Sequence, residues 1–218
     1  MTGLSTMLRK EFKSFAGSDR GVFAVYAILI VVWSFLLASG DSSLSGGPFL
    51  FIFFSAIITA NFSNTVFISE RMNGSLEILI TSGLSRNSVL FGKLLFTVVM
   101  TTLIGLACAA LSLLWSTLLI DYHFLSFRFS DLLLYTSATV LNAAGSAYFS
   151  VRLSSPRLLH FVNLFILGII ITLYSIISYF YSPGVWLLLL LLLLPALWFV
   201  LLAQKQFAGE RIIQPVIL

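Results

Sequence analysis

Apolar residues in this chain run in long unbroken stretches, and charged residues fall only in the gaps between them. Gly21 to Gly40, Ser42 to Ser69, Leu94 to Ile120 and Leu132 to Val151 contain no Asp, Glu, Lys or Arg, and none occurs between Arg157 and Lys205. A helix needs roughly 20 apolar residues to cross the hydrocarbon core of a bilayer. The last stretch is long enough for two crossings, and Ser182-Pro183-Gly184 supplies a turn between them. The pattern predicts spans near 21–39, 48–69, 92–120, 131–150, 158–181 and 185–203. The third is longer than a bilayer requires, so it tilts or extends beyond the lipid. The expected fold is all-α, a polytopic membrane helical bundle.

Charge placement gives an orientation. With six spans, the N-terminus, the loops at 70–93 and 151–157, and the C-terminus share one side. Those segments hold Arg9, Lys10, Lys13, Arg20, Arg71, Arg86, Lys93, Arg152, Arg157, Lys205 and Arg211, leaving only Arg128 of the 12 basic residues on the other side. Positive residues concentrate in cytoplasmic loops, so both termini are expected in the cytoplasm.

The first twenty residues form no span. Leu4, Leu8, Phe12 and Phe15 share one helical face, while Arg9, Lys10 and Lys13 fall largely on the other. This predicts an amphipathic helix over 1–20 lying in the membrane interface, its basic face toward anionic lipid headgroups. The basic residues ahead of an apolar run imitate a signal peptide, but that region is too long, and the first span is expected to stay uncleaved.

Composition narrows the class. The chain is 59% hydrophobic and 9% charged, against about 25% charged in a soluble domain. That excludes a soluble globular fold. The net charge of +4 does not indicate nucleic acid, because the basic residues form no compact patch. Cys108, the one cysteine, reads as a small buried apolar side chain. Asn61-Phe62-Ser63 and Asn73-Gly74-Ser75 fall in a span and in a cytoplasmic loop, so neither is a glycosylation site.

Several chemistries are missing. There is no Gly-x-x-x-x-Gly-Lys-(Ser/Thr) phosphate loop. No ionisable residue is expected deep in a span, which argues against a proton-coupled antiporter. An intramembrane protease would need a Ser–His pair, paired aspartates or metal ligands at depth; His123 and His160 are both expected at interfaces. Asn61 and Asn64, Asn142 with Ser146, and Asn163 are the polar candidates for lining a substrate path. The alternative is close helix packing with interhelical hydrogen bonds, the reading that also suits Ala138, Ser150, Gly105 and Ala109.

The informative segment is the cytoplasmic loop at 70–91. Asn73, Gly74 and Ser75 suit a helix start, and Glu77 suits its first turn. Leu76, Leu79 and Ile80 make one apolar face. Gly83 can stop the helix, and Ser85 can cap the next. Such a helix on a loop is a natural docking element for a partner.

This segment resembles the ABC-2 family of ATP-binding-cassette transporter permeases. There the loop reads approximately Glu-x-x-x-Gly-(Thr/Ser)-Leu-Glu-x-Leu-x-(Thr/Ser)-x-Pro-(Leu/Val)-Ser-Arg, followed by Gly-Lys. The matching positions are Glu70, Gly74, Ser75, Leu76, Glu77, Leu79, Thr81, Leu84, Ser85 and Arg86, then Gly92 and Lys93. Gly83 stands where Pro is common, and the connection at Tyr181-Ser182-Pro183-Gly184 leaves little room for the external re-entrant helices of some members.

The resemblance implies a permease subunit, mostly of exporters, whose loop docks on a separate cytoplasmic ATPase. ATP and Mg would sit on that ATPase, with no cofactor in this chain. It implies a second cytoplasmic contact at Arg152, Pro156 and Arg157, and pairing with a second permease chain. It also implies a bacterial inner membrane. A membrane anchor for an ATPase-driven machine, such as a gliding or secretion apparatus, would use the same dock without moving a substrate.

Overall fold

In lipid every backbone N–H and C=O must be satisfied within the protein, so long apolar stretches fold as helices. A computed structural model describes residues 2–17, 20–39, 47–73, 83–118, 129–153, 155–180 and 184–208, and among these there is no strand. Helix α1 covers Thr2–Ala16 and α2 covers Arg20–Ser39. Helix α3 covers Gly47–Ser63 and continues through a π-helical stretch, Asn64–Ser69, into a last turn at Glu70–Met72. Then follow α4, Arg86–Leu118; α5, Phe129–Ser150; α6, Pro156–Phe180; and α7, Val185–Ala208.

Five of these, α2, α3 with its continuation, α4, α6 and α7, are long and apolar enough to cross a membrane. That is the make-up of an integral membrane protein. Helix α5 is not among them. Its 22 residues extend about 33 Å at 1.5 Å per residue, but Thr136, Ser137, Thr139, Asn142 and Ser146 dilute its hydropathy. The reason is its position. It packs against α3, α4, α6 and α7, and Tyr135, Ala138, Asn142, Ala143, Ser146 and Ala147 are all buried. A helix enclosed by other helices gains more from small and polar contacts than from bulk hydrophobicity.

Lipid-like surface lies on the outer helices instead. Val25, Ile28 and Val32 on α2, Phe161 and Phe165 on α6, and Leu194, Leu197 and Trp198 on α7 are exposed. Two cores lie inside. One gathers Phe54, Phe62, Leu90, Phe96 and Phe207; the other gathers Ile52, Leu134, Leu141, Leu167 and Leu192. Gly105 sets the approach of α4 and α5, because a Cβ there would lie 2.4 Å from the Tyr135 ring. The Tyr135 hydroxyl donates to Thr101 O at 2.8 Å.

One end of the bundle draws together parts of five helices. Lys10 of α1 bonds Glu70 at the end of α3. Arg71 Nη1 donates to Ser150 O, the last carbonyl of α5, at 2.5 Å. Asn64 Nδ2 donates to His160 Nε2 near the start of α6. With its amide turned so that both ends are satisfied, Gln206 of α7 donates to Tyr148 O at 3.0 Å and accepts from Arg152 Nε at 3.2 Å. The loop at 73–85 and the α5–α6 turn therefore open from the same end.

Helix α1 departs in detail from the expectation. Its residues do form a helix, but the inward seam centres on Met7 and Glu11, both buried, while Phe12 is exposed. Met7 lies over Gly92, where a Cβ would come 2.6 Å from Met7 Cγ. Thus α1 is seated on α4, not merely laid on a lipid surface.

Candidate functional site

Four charged side chains meet where α1, α3 and α4 converge. Lys10 and Glu11 come from α1, Glu70 from the last turn of α3, and Lys93 from the second turn of α4. Lys93 is 0% exposed, Glu11 4%, Glu70 16% and Lys10 36%. The Lys93 ammonium has three donors, and each finds an acceptor: Glu70 Oε2 at 2.5 Å, Val66 O at 2.5 Å and Glu11 Oε1 at 3.4 Å. Lys10 bonds Glu70 Oε1 and, at 3.2 Å, Glu11 Oε1. The two ammoniums and two carboxylates cancel, which is the condition for burying charge. Burial works against the Lys10 ammonium, but its bonds to Glu70 and the charge of Glu11 outweigh it and raise its pKa above the ordinary lysine value.

Local sequence explains each placement. The π-helical stretch widens the helical register, and Val66, inside it, offers its carbonyl to Lys93. Gly92 removes the side chain that would hold α1 away, so the neighbouring Lys93 can reach Glu11. Lys93, expected at the edge of the span that begins near 92, sits near the start of a long apolar helix and is enclosed by protein.

The loop framed by this cluster is described at its two roots. Gly74, Ser75, Leu76, Glu77, Leu79 and Thr81 lie outside the described residues, as does the short helix expected there. At the second root, Gly83 has φ +83°. Proline is locked near −65°, so the turn here differs from one with Pro at that position. A Cβ on Gly83 would meet nothing within 4 Å; backbone conformation, not space, selects glycine. Leu84 packs on the first core. Ser85 caps α4, its Oγ accepting from Ser88 N at 3.2 Å, and half-buried Arg86 opens the helix.

Arg152, Pro156 and Arg157 are exposed at the α5–α6 turn. The Arg152 guanidinium stacks over the Tyr148 ring at 5.0 Å. Pro156 occupies the first position of α6, where its missing N–H costs nothing. These residues and the loop roots belong to one end of the molecule.

The candidate path residues Asn61, Asn64, Asn142, Ser146 and Asn163 each make a hydrogen bond within the chain. Asn163 Nδ2 of α6 donates to Ser146 Oγ at 2.7 Å and to Asn142 O at 3.4 Å on α5. Asn142 Nδ2 donates to Ala138 O at 2.9 Å. A Cβ on Gly145 would lie 2.9 Å from Asn163 Oδ1, so glycine admits the Asn163 amide. Asn61, which is exposed, donates to Ile57 O at 3.0 Å, and Asn64 is paired with His160. Asn142, Ser146 and Asn163 thus form one interhelical lock, while Asn61 and Asn64 stand apart from it.

Sequence reading missed Glu11 and the partners of Lys93. The signal was present: Gly3, Met7 and Glu11 repeat at four, a seam of a small, an apolar and an acidic residue. Compared with known proteins, the chain matches no family model and no curated protein.

Proposed function

We propose that the chain is the transmembrane permease subunit of an ABC-2 type transporter, an exporter that couples ATP hydrolysis by a separate ATPase to substrate movement. In this reading α2 to α7 are six spans, α5 being the enclosed one, and both termini lie in the cytoplasm of a bacterial inner membrane. The ATPase docks on the loop at 70–86, and a second permease chain completes the path.

The reading is supported by one observation above others. Glu70 and Gly92-Lys93, the outer positions of the motif, are 22 or more residues apart in sequence but close on each other in space, with Lys93 Nζ 2.5 Å from Glu70 Oε2. They clamp the two roots of the loop, so a force applied to the loop passes into α3 and α4 together. The collection of Arg71, Arg86, Lys93, Arg152, Arg157 and Lys205 at this end supports taking it as cytoplasmic.

The test is affinity purification of the full chain from its native membrane in gentle detergent, with the co-purifying proteins identified. A nucleotide-binding subunit is expected, and it should be lost when Leu76 and Leu79 are changed to Asp. Recovery of the chain alone, under conditions that preserve other weak complexes, would overturn the assignment.

A further inference from the structure

A crevice of about 260 Å³ opens beside the ion cluster, between α1, the first turns of α2, and the adjoining ends of α3 and α4. Its lining divides by chemistry. Phe15, Tyr26 and Phe62 make an aromatic wall, with Tyr26 and Phe62 stacked at 5.1 Å and 7° and Phe15 5.5 Å from Phe62. Glu11, Ser69 and Asn73 bring polar groups to the lining. Both lysines bond Glu11 through Oε1. Among the described residues, Oε2 of this 96%-buried carboxylate accepts no hydrogen bond. Glu11 itself lines the crevice.

We propose that this crevice binds the ammonium group of a cationic amphiphile, with the cation at Glu11 and the apolar portion against Phe15, Tyr26 and Phe62. Carboxylate and ring faces are the two surfaces that attract an organic cation. Charge balance names the exchange. The cluster is neutral with both lysines in place, so an incoming cation must displace one. Lys93 is enclosed and holds a backbone carbonyl, whereas Lys10 is 36% exposed and can swing its flexible stem outward. Lys10 therefore acts as the resident cation that the ligand replaces. The source of the ammonium is an aminolipid headgroup or a free amphiphilic amine. The site needs only the helical bundle, so it stands apart from the ATPase reading.

The experiment uses the full chain in nanodiscs of phosphatidylglycerol. The probe is dansylcadaverine, a primary ammonium on a five-carbon chain with an environment-sensitive fluorophore. Saturable binding is expected, weakened about tenfold or more for the N-acetylated probe, which has lost its charge. Glu11→Gln should weaken the ammonium probe to a similar degree. Lys10→Met should strengthen it several-fold, a gain that misfolding cannot imitate. Phosphatidylethanolamine added to the discs should compete if the source is a lipid headgroup, and should not if it is a free amine. Equal binding of the acetylated probe, or an affinity unchanged or lowered by Lys10→Met, would overturn the proposal.

Discussion

Removing the Lys93 ammonium tests whether the ion cluster holds α1 and the loop roots together. In Lys93→Met the side-chain volume is nearly kept, so packing changes little. What is lost is one of two cations facing two carboxylates, one of them 4% exposed. Breaking a buried pair by removing one partner costs about 3–5 kcal/mol, because the remaining charge stays in a low-dielectric site. Lys10→Met removes the same formal charge from the same carboxylates. Its ammonium is 36% exposed, and solvent-screened pairs are worth about 0–1 kcal/mol. The two variants should therefore differ by roughly 2–5 kcal/mol on these figures. Pairing Lys93→Met with Glu70→Gln leaves Glu11 with Lys10 and should bring stability back to within about 1–2 kcal/mol of the parent. The assay is unfolding by denaturing detergent in mixed micelles, followed by tryptophan fluorescence, with amide exchange in α1 as the local readout. The reasoning fails if Lys93→Met costs no more than Lys10→Met, or if the double variant is worse than Lys93→Met alone.

Three further outcomes follow from the same geometry. Gly92→Val should loosen α1 by about 1–3 kcal/mol through overpacking against Met7, measured as faster α1 amide exchange; Met7→Ala should restore much of it, and no rescue would deny the close approach. Gly83→Ala should cost about 1–2 kcal/mol for its left-handed backbone, in the same detergent titration, whereas a neutral result would mean that the turn readily changes conformation. The pKa of Lys10 is raised by folding, so its stabilising effect is complete below the ordinary lysine value of about 10.4 and is lost as pH climbs through the higher folded value. The difference in thermal stability between the parent and Lys10→Met should therefore stay flat from neutral pH to about 9.5 and shrink only in stronger alkali; a difference that fades near neutrality would contradict the sign.

The spans were legible because an apolar stretch in lipid has one way to satisfy its backbone. Uncharged runs fixed α2, α3, α4, α6 and α7 to within a few residues, and Ser182-Pro183-Gly184 separated the last two. The cap at Ser85 was legible for a similar reason, since it acts on its own few residues of backbone. Helix α5 was legible as a segment, but its enclosure was not, because the same Ser, Thr and Asn residues could line a path or lock two helices. Only its packing against α6 brought Asn163 to Ser146. Likewise, the sequence reading did not single out Glu11. That it is buried depends on Gly92 letting α1 settle against α4, and on a π-helical stretch placing Val66 O beside Lys93. Backbone hydrogen bonding is local and can be read along the chain, whereas the pairing of buried charges depends on which helices touch, and that was decided by tertiary structure.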